Sequence, residues 1–145
     1  MDIQSLIKPV IDVQDTFVPG SNEGWVPMGE NSLAFVKPLW TSPESGGWAV
    51  LFHWKKGFVA PAHKHLGAIH AYIIAGKLSV RDHQMTAGDY VYEANGVIHE
   101  ATTAVEDTIH LNIADGPIVF FDDNGLQSYF GWEQVEGIKK AAAAA

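Results

Sequence analysis

From residue 33 onward the chain is a succession of short runs rich in branched and aromatic residues, each closed by glycine, proline, asparagine or aspartate. LAFVKPLW at 33–40 gives way to the turn sequence TSPESGG at 41–47, and WAVLFHW at 48–54 to KKG at 55–57. AYIIAG, KLSVRD, YVYEANG, VIHEATT, DTIHLNIADGP and IVFFDDNG keep the same rhythm. Punctuation every 8–12 residues or so marks an all-β sandwich or barrel. No interior segment sustains a 3.6-residue period, so a helix is expected only over WEQVEGIKK at 132–140. The pattern predicts one all-β domain: an extended N-terminal arm over 1–32, a barrel over 33–126, and a C-terminal segment over 127–145 with a short helix. The closing KKAAAAA reads as a frayed helix end with no function of its own.

Charge and residue usage exclude several classes of function. A formal charge of −8 leaves no room for the basic patch that nucleic acid or an anionic membrane would need. Cysteine is absent, which removes disulfides, thiolate metal sites and thiol nucleophiles together. Any transition metal must then be held by imidazole and carboxylate. The N-terminal MDIQSLIKPVIDVQ lacks the charged leader and unbroken apolar core of a signal peptide, and no apolar run approaches membrane-spanning length. A cytoplasmic protein is the expectation.

Histidines then concentrate where few would be expected. GFVAPAHKHLGAIHAYIIAG at 57–76 is largely apolar yet carries His63, His65 and His70. On a strand, alternate residues share a face, which sets His63 and His65 side by side about 7 Å apart. Two imidazoles so placed can grip one ion if a third ligand arrives from a facing strand, and His99 in VIHEATT is the candidate. A bare His-x-His is often a surface accident. Here a Gly57–Pro61 turn precedes the pair, its flanks are apolar, and a separate Gly-x-x-His stands at 96–99.

These residues carry a family resemblance. Gly57-x5-His63-x-His65-x4-His70-x5-Gly76 resembles the first cupin motif, and Gly88-x5-Ala94-x-Gly96-x2-His99-x3-Thr103 resembles the second. His70 stands where that family has glutamate, with one residue fewer before Gly76, while Ala94 and Thr103 replace proline and asparagine. The resemblance implies a single-domain jelly-roll barrel (a double-stranded β-helix) holding one divalent metal on His63, His65 and His99. His70, at the family's glutamate position and on one strand face with Tyr72 and Ile74, is expected to face the cavity, either as a fourth, displaceable ligand or as a cavity histidine bonded to backbone or water. A narrower similarity, to acetylacetone (diketone-cleaving) and 2,4′-dihydroxyacetophenone dioxygenases, runs from about Thr41 to Ile138 through TSPESGGWAVLFHW, KGFVAPAHKH and GPIVFFDDNG. It implies Fe(II) on three histidines without a carboxylate, and O₂-dependent cleavage of a carbon–carbon bond in a small β-diketone or hydroxyketone.

Three neutral imidazoles would leave such an ion its full charge, which favours an anionic chelating substrate and keeps a position open for O₂. Zinc in the same cage could polarise a carbonyl but not activate O₂, and nickel or zinc would suit a hydrolase or isomerase. A non-catalytic metal-binding sensor, anti-sigma-like in kind, is the alternative from another class. Arg81 and Glu93 fall where the similar enzymes carry an arginine and a glutamate near the metal; they are either a solvent-face ion pair or a pair orienting a ligand. Thr102 shares those two readings. His110, where that family places a bulky apolar residue, is either a core histidine bonded to backbone or a substrate contact lining the pocket. His53 and His83 read as outward or loop residues. Exposed aromatics and a coreless arm suggest a homodimer or higher homo-oligomer.

Overall fold

The computed structural model describes Ile3, residues 14–30 and residues 32–144. Of the expected arm, residues 1, 2, 4–13 and 31 lie outside the described residues. The remainder forms fourteen strands and one helix: β1 Val26–Pro27, β2 Ala34–Thr41, β3 Trp48–Trp54, β4 Val59–Ala60, β5 His63–His65, β6 Ile69–Ala75, β7 Lys77–Val80, β8 His83–Thr86, β9 Tyr90–Glu93, β10 Ile98–His99, β11 Thr102–Ala104, β12 Thr108–Ala114, β13 Ile118–Asp122, β14 Gly125–Phe130 and α1 Trp132–Ala144. The all-β expectation holds, as does the C-terminal helix, which starts at the expected residue and continues into the alanines that favour it.

Every strand pairing among the described residues is antiparallel. A six-stranded sheet runs β1-β2-β3-β12-β6-β9, and two four-stranded sheets run β10-β5-β13-β14 and β4-β11-β7-β8. The inner face of the large sheet meets both small ones. Val36, Val50, Phe52, Ile69 and Ala114 pack with Phe130, Ile118 and Phe120 of the β13–β14 sheet and with Val135 of α1. Ile73 packs instead with Leu78, Val80, Met85 and Ala104 of the β7 sheet. Each apolar group removed from water here contributes at about 25 cal/mol per Å².

Alternation along the strands decides what each face carries. In β6, Ile69, Ala71 and Ile73 are buried while His70, Tyr72 and Ile74 face out. In β12, Thr108, His110, Asn112 and Ala114 all point inward. At the end of the barrel, Gln134 Oε1 accepts the Gly131 amide at 2.8 Å, capping the first turn of α1. Upstream, the buried Lys37 ammonium donates to the carbonyls of Pro19 (2.7 Å) and Ser21 (2.9 Å), which ties the segment before β1 to the large sheet.

Candidate metal centre

β5 is only three residues long, and its burial pattern sets His63 and His65 on the inside with Lys64 between them. β10 lies antiparallel beside it, with His99 directly opposite His63. Three rings thus converge, each pair of centroids 5.1 Å apart. One nitrogen from each lies within 4.8 Å of the others, and all three residues are buried. No other grouping of three or more histidines and carboxylates able to share an ion occurs among the described residues.

The chemistry of the donor set fits a metal. His63 Nδ1 donates to the Pro61 carbonyl at 2.8 Å, which fixes the tautomer and leaves the Nε2 lone pair for a ligand. The ring nitrogens of His65 and His99 are buried without an aligned hydrogen-bond partner in the protein. Buried polar atoms left so cost about 1–3 kcal/mol each, a penalty that coordination would relieve. Burial holds His65 neutral by pushing its pKa down to about 4, and it lowers that of His63 as well; neutral imidazole is the ligand form.

Glu93 completes the cluster. Its Oε2 lies 3.1 Å from His65 Nε2 and 3.3 Å from His99 Nε2. Burial alone would raise its pKa, but the close approach of His99, with His65 and His63 behind it, brings it below the usual carboxylate value. An ionised carboxylate therefore stands against two of the three imidazoles. Glu93 sits opposite Ile69 in the β6–β9 pairing, and Ile69 points inward.

The other expected site residues divide. His70 does not face the cavity: its side chain is exposed, with Nδ1 2.6 Å from the Tyr90 hydroxyl and its ring 5.2 Å from that of Tyr92. The expectation of a fourth, displaceable ligand there is corrected by strand parity, because Ile69 and Ala71 take the inward positions on either side; Tyr72 and Ile74 are turned out with it. Arg81 makes no ion pair with Glu93. Its Nη2 donates to the Ile98 carbonyl at 2.6 Å from a left-handed backbone (φ 52°), bracing the short strand that presents His99. Thr102 is buried and lines the cavity. His110 is 3% exposed, also lines the cavity, and is held by Asn112 rather than by backbone: Nδ2 of Asn112 donates to Nδ1 at 2.8 Å. Burial pushes its pKa down to about 3, partly countered by the Glu93 charge. His53 packs beside Trp25 and Phe35, and His83 is exposed; neither joins the centre.

The cluster opens on a cavity of about 300 Å³ whose walls are chiefly apolar, with Phe52, Trp54, Phe58, Ile73, Leu78 and Phe120 prominent. Such a space suits a small neutral molecule with few polar atoms. Two features were not evident from sequence: that Glu93 meets the imidazoles without Arg81 as its partner, and the His110–Asn112 pair. The second had a signal in the i, i+2 spacing of two polar residues within an apolar strand.

Comparison with known proteins matches residues 13–119 to the ChrR cupin-like domain family. None of the curated proteins matches. Among solved structures, the chain resembles an acetylacetone dioxygenase from Acinetobacter johnsonii at 25% identity and TM-score 0.83, covering 91% of this chain and 95% of that one. A candidate acetylacetone dioxygenase from Methylibium petroleiphilum is similar at 24% identity and TM-score 0.82, over 89% and 96% of the two chains. The anti-sigma protein ChrR of Rhodobacter sphaeroides, solved with SigE, shares the fold at 22% identity and TM-score 0.57, over 67% of this chain and 52% of that one.

Proposed function

The chain belongs to the ChrR cupin-like domain family, and on that premise we propose that it is a metal-dependent dioxygenase that uses O₂ to cleave a carbon–carbon bond in a small β-diketone or hydroxyketone. The observation that carries this reading is the buried His63–His65–His99 triangle, of which His63 and His65 line a small, chiefly apolar cavity. A hydrolase or isomerase would also use a metal there, but an apolar wall of Phe52, Trp54, Phe58 and Phe120 favours chemistry on a neutral ketone.

His63, His65 and His99 would hold Fe(II), which supplies the accessible redox change that O₂ chemistry needs and zinc lacks. The chain's own part is positioning and proton handling. The Pro61 carbonyl orients the His63 ring, and Arg81 steadies Ile98 next to His99. Glu93, ionised and buried against two imidazoles, is the base placed to accept on Oε2 the proton that a β-diketone loses from the carbon between its carbonyls. The apolar wall excludes competing water. A cytoplasmic location is part of this proposal. Among the described residues no helix is long and apolar enough to cross a membrane. We further propose that copies associate through the outward face of β6 and β9, where Tyr72, Ile74, Tyr90 and Tyr92 are all exposed. A single monomeric species in sedimentation at micromolar concentration would count against that.

The test is anaerobic reconstitution with Fe(II), with zinc protein as control, followed by O₂ uptake on acetylacetone and on 2-hydroxyacetophenone. Uptake by the iron form alone, matched by loss of the ketone, is expected. Oxygen consumption no greater than in the zinc control over a panel of diketones and hydroxyketones would turn the assignment toward a binding module. The fold shared with an anti-sigma protein supports that second reading, and a metal-dependent complex with a sigma factor would be its sign.

A further inference from the structure

The cavity wall carries two buried N–H groups that the metal centre does not use. Trp54 and His110 both line the cavity, and their rings meet edge-on at 4.6 Å and 80°. Nε1 of Trp54 and Nε2 of His110 are each buried without a protein hydrogen-bond partner. The tautomer of His110 follows from its neighbour. The Asn112 amide nitrogen donates to Nδ1, so Nδ1 is an acceptor and the ring proton resides on Nε2. Indole N–H can only donate. Two donors on neighbouring rings therefore belong to a chiefly apolar wall that includes Phe52 and Phe58, with Thr102 and Asn112 among its few other polar residues away from the metal centre.

We propose that the Nε2–H of His110 and the indole N–H of Trp54 form a specificity notch, donating to an acceptor oxygen of the substrate that lies outside the pair of oxygens bound at the metal. The ligand class is a neutral ketone bearing a further carbonyl, ether or phenol oxygen. This rests on the reading of the centre as a ketone-processing site. A cationic group is disfavoured, since neither nitrogen can accept from it. A carboxylate would bring a charge into an apolar wall with no cation there to meet it, because burial keeps His110 neutral. The positioning of His110 is built in: β12 directs it and Asn112 to the same side, and Phe52 flanks its ring at 5.4 Å.

The experiment uses the full chain loaded with zinc, which is diamagnetic and does not turn over. Cyclohexanone and methylenecyclohexane, a pair of like shape that differ in having or lacking the oxygen, are titrated while the side-chain ¹⁵N–¹H signals of His110 and Trp54 are followed. Before addition, His110 should show the Nε2–H tautomer. The ketone should move both N–H protons downfield, and the hydrocarbon should enter the cavity without doing so. His110→Phe should weaken ketone binding about tenfold, the size of one neutral hydrogen bond, and leave the hydrocarbon unaffected. Trp54→Phe reports the second donor in the same way and serves if the first variant does not fold. An Nδ1–H tautomer, N–H protons that stay put at saturating ketone because they face neighbouring rings, or unchanged ketone binding in a folded variant would each overturn the proposal. If acetylacetone fails to bind the zinc centre while cyclohexanone still shifts both signals, the dioxygenase reading falls and the notch stands.

Discussion

At the scale of single residues, the three buried histidines and their neighbour Glu93 make separable predictions. His99 is the one ligand contributed by β10, so His99→Ala should weaken metal binding by more than about 100-fold, beyond the loss that a supporting contact produces. His70→Ala should leave metal affinity and stoichiometry as they were, since its partner is the Tyr90 hydroxyl on the outer surface. Metal titrations of the two variants check both statements. His110 makes a prediction about pH. Its folded pKa, about 3, lies below the unfolded value of 6.5, so unfolded chains bind the extra proton. The stability from keeping it neutral is fully present above pH 6.5 or so and is lost as pH falls toward 3. Between pH 7 and pH 5 this amounts to about 2 kcal/mol. In metal-free protein, urea unfolding at those two pH values should show wild type losing that much more stability than His110→Phe. Equal losses would contradict the assignment of His110 as a buried neutral donor.

At the scale of elements, the turn that carries the chain from β6 to β7 depends on two residues. Gly76 sits at φ +89°, and a Cβ there would run into the Asp107 carbonyl. Thr108, fully buried, accepts the Lys77 amide at 2.9 Å and lies within 3.0 Å of the Lys77 carbonyl. Gly76→Ala should therefore cost more than about 2 kcal/mol, combining a disfavoured backbone with overpacking. Thr108→Val keeps the shape but strands the Lys77 amide, at about 1–3 kcal/mol. Equilibrium unfolding of both variants checks the order. The same scale explains what could be read from the sequence. The turn rhythm showed an all-β chain, the i, i+2 spacing placed His63 and His65 on one face, and the Gly-x-x-His at 96–99 offered His99 as the third ligand, which the cupin resemblance strengthened. His70 is misplaced by its match to the family's glutamate position: the alternation set by His63 and His65 carries through the bend at 66–68 to Ile69 and Ala71, which turns His70 outward. Glu93 reaches the centre only through the register of β6 against β9, a pairing between distant segments that local pattern does not specify.

At the scale of the whole molecule, an ion on His63, His65 and His99 would join two of the shortest strands in the barrel. β5 and β10 share two residue pairs, reinforced by His65 N to the Val97 carbonyl at 2.9 Å and Gly96 N to the His65 carbonyl at 2.8 Å. The large sheet, by contrast, is held by long pairings such as the seven residue partners of β3 and β12. Ligand linkage predicts that zinc at 100 times its dissociation constant stabilises the fold by about 2.7 kcal/mol, and that His99→Ala abolishes the gain. Thermal unfolding with and without chelator measures it.

The brevity of those two strands also sets a clock. Local opening governs how fast a backbone amide trades its proton for deuterium, and openings near weakly paired segments need far less free energy than global unfolding. Stripped of metal, the amides of His65 and Gly96 should label early while those across β3 and β12 stay dark; with metal bound, the early pair should fall silent. Deuterium uptake at two positions would then report occupancy of the centre in a protein that need not be turning over at all.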